Sequence, residues 1–133
     1  MRIALSRAFI GLSAAILLPG AWMHTSAFHR VTDAVAISNL ESFFAQSLPA
    51  LWLIDSAVMT VLALLFAAIA FRPALTAPIV VLILGLIPGA TALFLYRFIG
   101  SNFVPAHILA FAAALTLASA GLRFRAGAPD ARP

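Results

Sequence analysis

Three ionisable side chains, His24, Asp55 and His107, stand inside long apolar stretches of the chain. A charge there is normally kept only with a partner or a wet cavity beside it, since an aspartate near a helix centre costs about 2.5 to 3.5 kcal/mol to insert. Three chemistries suit these residue types. The plainest is structural: Asp55 pairs with Arg97, or hydrogen-bonds His107 or Tyr96, and locks helices together. In the second, His24, Asp55 and His107 ligate a metal ion such as zinc, iron or manganese, with positions left open for water or substrate. In the third, His24, Trp52, Asp55, Tyr96, Arg97 and His107 line a polar pocket for a quinone or small solute, with proton-exchanging groups at its centre. Haem held by His24 and His107 is disfavoured, because bis-histidine ligation needs deeper, facing positions.

The elements that must position these residues are set by hydropathy. Four apolar segments, near residues 9–28, 50–71, 79–96 and 106–122, each approach the ~20 residues that cross a bilayer as a helix. The chain of 133 residues is 64% hydrophobic and only 9% charged, with a mean hydropathy of +1.11. Soluble domains are roughly a quarter charged, so a water-soluble fold is set aside. No period-two alternation suggests a β-barrel. The expectation is a single all-α domain, a bundle of four transmembrane helices with a short tail from 123 to 133.

With outer span ends at Phe28, Pro49 and Pro105, His24, Asp55 and His107 sit roughly 6, 9 and 3 Å deep at ~1.5 Å per residue, in one shallow layer of one leaflet. Trp22, Trp52, Tyr96 and Asn102 belong to the same half.

Orientation follows from the basic residues, all eight of which are arginine. Four crossings put Arg2, Arg7, Arg72, Arg123, Arg125 and Arg132 on one side and Arg30 and Arg97 on the other. The positive-inside rule then makes both termini cytoplasmic, as in a bacterial inner-membrane protein. A competing reading takes Met1 to Ala27 as a cleaved secretory signal ending in Thr25-Ser26-Ala27, although Trp22, Met23 and His24 are bulky for positions just before a cleavage site. The net charge of +4 does not point to nucleic acid, because the arginines are scattered at span ends and form no basic patch interleaved with aromatics. The absence of cysteine removes disulfides, thiolate metal sites and palmitoylation.

Between the first two spans, Ser38-Asn39-Leu40-Glu41 has the form of a capping box, after which Leu40, Phe43, Phe44 and Leu48 share one helical face. This predicts a short outward-facing interfacial helix; the alternative is an N-terminal extension of the second span broken at Pro49. Leu17-Leu18-Pro19-Gly20-Ala21 is echoed by Leu86-Ile87-Pro88-Gly89-Ala90, and Pro49-Ala50 by Pro105-Ala106, as a repeat of two helical hairpins would give. Pro19 and Pro88 fall within spans, where kinks would free carbonyls to line a cavity. For packing, Gly85 and Gly89 form a GxxxG face, Ala110, Ala114 and Ala118 a small-residue stripe, and Ser56, Thr60, Ala63 and Ala67 another.

No Ser–His–Asp spacing, phosphate-binding loop, HExxH or nucleophile elbow is present, so nothing positive points to an enzyme. The expected role is helix packing, as an accessory subunit of a membrane complex or as a homo-oligomer in contact with the lipid bilayer. The alternative is a carrier or membrane enzyme whose His/Asp pocket holds a metal ion, quinone or small solute.

Overall fold

A computed structural model describes residues 1–73 and 76–127. It contains five helices among those residues: α1 (Arg2–Ser26), α2 (Phe28–Ala36), α3 (Ser42–Phe71), α4 (Pro78–Phe98) and α5 (Val104–Gly127). Four helical stretches are long and apolar enough to cross a membrane, with α1 and α2 together forming the first. The two halves of that stretch meet at Ala27, whose backbone stays in the right-handed helical region (φ −82°, ψ 0°). The joint is tied by short bonds, Thr25 Oγ1 to the Ala21 carbonyl at 2.8 Å and Ser26 Oγ to the Met23 carbonyl at 2.8 Å. These are the residues of the candidate signal-cleavage site, Thr25-Ser26-Ala27.

The helices are laid side by side in the order α3, α1, α5, α4: α1 packs between α3 and α5, and α5 between α1 and α4. Along the described residues α3 and α4, neighbours in sequence, scarcely touch. A two-fold relation between hairpins α1–α3 and α4–α5 would pair α4 with α3 wherever α1 pairs with α5, so the packing is not two-fold. The Pro-Gly echo nevertheless has a local counterpart: Gly20 of α1 faces Met59 of α3, and Gly89 of α4 faces Ala113 of α5. In each hairpin the glycine admits the partner helix closely.

The core is built from one narrow stripe per helix. On α1 it runs through Ser6, Ile10, Ser13, Leu17 and Ala21, at the three- and four-residue spacing that keeps one face inward. On α3 it holds Ser56, Leu62, Ala63, Phe66 and Ile69, and on α4 Val81, Gly85, Pro88 and Ala92. On α5 the buried face is Ala106, Leu109, Ala112, Ala113, Thr116, Ser119, Ala120 and Arg123. The predicted alanine stripe is corrected here, since Ala114 and Ala118 are exposed and Ala110 only half-buried. Two residues of offset turn a helix by about 200°, and the hydroxyls of Thr116 and Ser119, which need partners, decide which side goes inward.

Two further expectations are corrected. The capping box does not form: Glu41 precedes α3 without a side-chain bond to it, and Ser38 Oγ donates back to the Val35 carbonyl at 2.7 Å. The reason is α2, which occupies the chain up to Ala36 and leaves Ser38 in the turn that closes it. Nor does Pro49 break the second long helix, which continues through it for 30 residues. α1 and α4 likewise run on through Pro19 and Pro88.

The hairpins differ in length. Ser6 and Ser13 lie beside Ser119 and Ala112, so the first residue of α5, Val104, stands close to the level of Ala21 and Trp22 on α1. Beyond that level α2 packs on α3 and on the end of α1, with neither α4 nor α5 alongside. The part of α3 before Ser56, which lies beside His24, therefore projects with α2 as an arm, about 21 Å long at ~1.5 Å per residue.

Candidate functional site

The polar side chains gather at two ends of the molecule. At the end from which the arm projects, His24 is held on three sides. Its ring lies flat on Trp52, with centroids 3.9 Å apart and planes within 10°. Its Nδ1 is 2.8 Å from Ser56 Oγ, and its Nε2 is 3.5 Å from Asp55 Oδ2. Trp52, one turn before Ser56 on α3, donates its indole N–H to the His24 carbonyl at 2.7 Å, which also accepts the Ala27 backbone N–H at 3.2 Å.

Ser56 has one hydroxyl hydrogen, which either the Trp52 carbonyl at 3.0 Å or His24 Nδ1 at 2.8 Å can accept. When it goes to the carbonyl, Nδ1 donates to Ser56, and when it goes to Nδ1, the ring accepts, so the imidazole tautomer sets the direction of this bond. Nε2 and the Asp55 carboxylate attract one another when the ring is protonated, and at 3.5 Å they are too far apart for a tight hydrogen bond. The order Ser56, His24, Asp55 has the composition of a hydrolytic triad. The serine is buried, however, which leaves its hydroxyl no open approach for a substrate.

His107 is placed elsewhere. It lies on α5 against Tyr96 of α4, the phenol oxygen 2.8 Å from Nδ1, with ring centroids 5.3 Å apart. Arg97 extends over the ring of its neighbour Phe98 at 5.8 Å, and it belongs to α4, which scarcely meets the α3 helix that carries Asp55. Of the six sequence-predicted pocket residues, His24, Trp52 and Asp55 come together, and Tyr96 and His107 form a second pair. Among the described residues no group of three His, Cys, Asp or Glu side chains is placed to hold a metal ion. The His24, Asp55, His107 set is divided between the α1–α3 and α4–α5 hairpins, which leaves two donors in one place and one in another.

At the opposite end lies a cluster that the sequence reading missed. Arg123, counted there as part of a cytoplasmic tail, is on α5 and only 6% exposed. Its Nε donates to Ser6 Oγ at 2.9 Å, Nη1 to the carbonyls of Pro73 and Thr76 at 3.2 and 3.4 Å, and Nη2 to that of Ile69 at a longer 3.5 Å. Ile69 is in the last turn of α3, where carbonyls lack helical partners and carry the negative end of the helix dipole. Arg7 of α1 completes the arrangement by donating to the Ala70 carbonyl at 2.9 Å. Two arginines from two neighbouring helices thus cap α3.

From Arg123 a ladder of hydroxyls runs along the α1–α5 contact. Ser6 and Ser119 oxygens are 2.8 Å apart, and Ser119 also donates to the Ser6 carbonyl at 2.9 Å. Deeper, Thr116 Oγ1 donates to Ser13 Oγ at 3.0 Å, and Ser13 to the Ala112 carbonyl at 3.0 Å. A serine, threonine and arginine recurring at three- and four-residue spacing on α5 was the available signal. Among the described residues every buried polar side-chain atom has a partner.

Compared with protein-family models, curated proteins and solved structures, the chain finds no match.

Proposed function

We propose that this is a small polytopic membrane protein that works by helix packing, as an accessory subunit of a membrane complex or as a homo-oligomer. One observation carries the reading: the row order of the helices leaves α3 and α4 each packed on a single neighbouring helix of the four-helix body, with broad apolar faces turned outward. Ile54, Val61 and Leu65 on α3, and Ile83, Leu86 and Leu93 on α4, are exposed. The polar residues, in contrast, are consumed internally by the ladder, the arginine caps and the His24 cluster. Such faces meet lipid or another helix, and the reading takes the second, in which van der Waals packing between helices replaces packing against acyl chains.

The same reading places the protein in a bacterial inner membrane with both termini cytoplasmic. Its support is the gathering of Arg2, Arg7, Arg123 and Arg125 at one end, where Arg2 donates to the Arg125 carbonyl at 3.1 Å. The arm then emerges on the outer side and α2, with Val31 and Val35 toward the groove it forms with α3, lies at that interface.

The test is the mass of the protein extracted from its native membrane in a mild detergent. A homo-oligomer, or a stoichiometric membrane partner, is the expected result. A homogeneous single protomer of 14.0 kDa with no partner overturns the reading.

A second reading is favoured by the Asp55 side chain, which is 43% exposed while its carboxylate meets His24. In it the pair is the floor of a site for a metal ion, quinone or small solute. Bound metal or visible absorbance in the purified protein, lost in Asp55→Asn, is the result that would replace packing with binding.

A further inference from the structure

We propose that the groove between the first turns of α1 and the last turns of α3 binds an anionic phospholipid, its phosphate on Arg7 and one acyl chain along the groove. The inference rests on the reading that these helices span a membrane, and adds a ligand that packing alone does not require.

The groove has a volume of about 440 Å³ and is lined by Ala4, Arg7, Ala8 and Gly11 from α1 and Ala67, Ala70 and Phe71 from α3. Apart from Arg7 and Phe71 these are the smallest residues available, so the two backbones form the walls and a trough remains between them. It runs along the helix axes from a charged end to an apolar one. Arg7 and Phe71 stand at the mouth, while Gly11 and Ala67 lie one turn further in on their respective helices. An extended hydrocarbon chain with a charged head fits that polarity.

Charge decides which lipid. Arg7 is fixed in place by its Nε bond to the Ala70 carbonyl. Among the described residues its two terminal nitrogens have no hydrogen-bond partner in the protein, leaving a planar fork suited to two phosphate oxygens. No carboxylate among the described residues offsets it, because Asp33, Glu41 and Asp55 all lie toward the arm, whereas Arg2 and Arg72 share its end of the molecule. Basic pockets between helices on the cytoplasmic side are where anionic headgroups are held.

The test uses the full-length protein in a mild detergent, titrated with phosphatidylglycerol and with phosphatidylcholine of the same acyl chains, the retained lipid being counted by native mass spectrometry. Phosphatidylglycerol is expected to be retained in preference, and Arg7→Gln to lower its retention roughly fivefold, the effect of one surface arginine. Ala8→Phe fills the trough from an exposed position and is expected to lower retention of phosphatidylglycerol with the charge intact. Arg30→Gln, at the other end, is expected to leave retention unchanged. Equal retention of the two lipids, or parental retention in Arg7→Gln and Ala8→Phe, would overturn the proposal. Failure of the membrane reading has its own signature: the chain would then be released from membranes by alkaline carbonate, whatever its lipid retention in detergent.

Discussion

Arg123 does at the scale of one residue what a charged residue inside a bundle must do: it finds enough acceptors to replace water. Those acceptors are neutral, a serine hydroxyl and three carbonyls, so the guanidinium acts as a cross-brace between α5, α1 and the α3–α4 turn. Removing it strands buried acceptors as well as losing charge-assisted bonds. Arg123→Ala is expected to destabilise the protein in detergent by on the order of 3 kcal/mol, measured by thermal or denaturant unfolding, with Arg123→Lys between the two. His24 and Asp55 are expected to differ in the same assay. His24→Ala loses the Trp52 stack and the Ser56 partner, about 2 kcal/mol, while Asp55→Ala removes one half-exposed, 3.5 Å contact and costs about 1 kcal/mol or less. Among the described residues Asp55 and Arg97 form no ion pair, so no stranded arginine adds to that cost. Counting residues put His24, Asp55 and His107 at similar depth in one leaflet, but depth alone did not single out His24 from Arg97 and His107 as the neighbour of Asp55. Sequence alone could not find the Ser6–Ser119 and Ser13–Thr116 contacts, which join positions more than a hundred residues apart, nor see that Arg123 is drawn inward by carbonyls whose location depends on the fold.

Among the elements, the α4–α5 contact separates two glycines that look alike in sequence. A Cβ at Gly85 would come within 3.0 Å of Thr116 Cγ2 and 3.2 Å of Leu117 Cδ2, whereas one at Gly89 would meet Ala113 Cβ at 3.5 Å. Gly85→Ala is therefore expected to push α5 away or twist Thr116, losing about 1 to 3 kcal/mol of stability. Gly89→Ala adds an ordinary contact and removes a helix-interior glycine, and is expected to be neutral or stabilising by up to about 1 kcal/mol. Equal melting temperatures for the two variants would show that the helices do not approach as described. The GxxxG spacing was legible in the sequence, since glycine is rare in this chain. The partner stripe on α5 was not, because alanine is so common there that Ala110, Ala114 and Ala118 formed as good a pattern as Ala112, Thr116 and Ala120.

For the molecule as a whole, length mismatch and charge asymmetry make one joint statement about topology. α4 has 21 residues, about 32 Å, close to the ~30 Å hydrocarbon thickness, whereas α3 has 30 residues, about 45 Å. If the body spans the membrane, the excess must leave it at one side, and the arm that leaves carries Arg30, Asp33 and Glu41. The opposite end gathers most of the arginines, and the proposed orientation puts that end in the cytoplasm by the positive-inside rule. The chain has no cysteine, so single cysteines report position without background. Ser42→Cys, at the start of α3, is expected to react with a membrane-impermeant maleimide in intact spheroplasts. Ala126→Cys, near the end of α5, is expected to react only after lysis. Reversed labelling would invert the protein, turning the Arg7 groove to the outer leaflet and the arm to the cytoplasm. Labelling of both positions in intact spheroplasts would place the two ends on one side and remove the four-span arrangement itself.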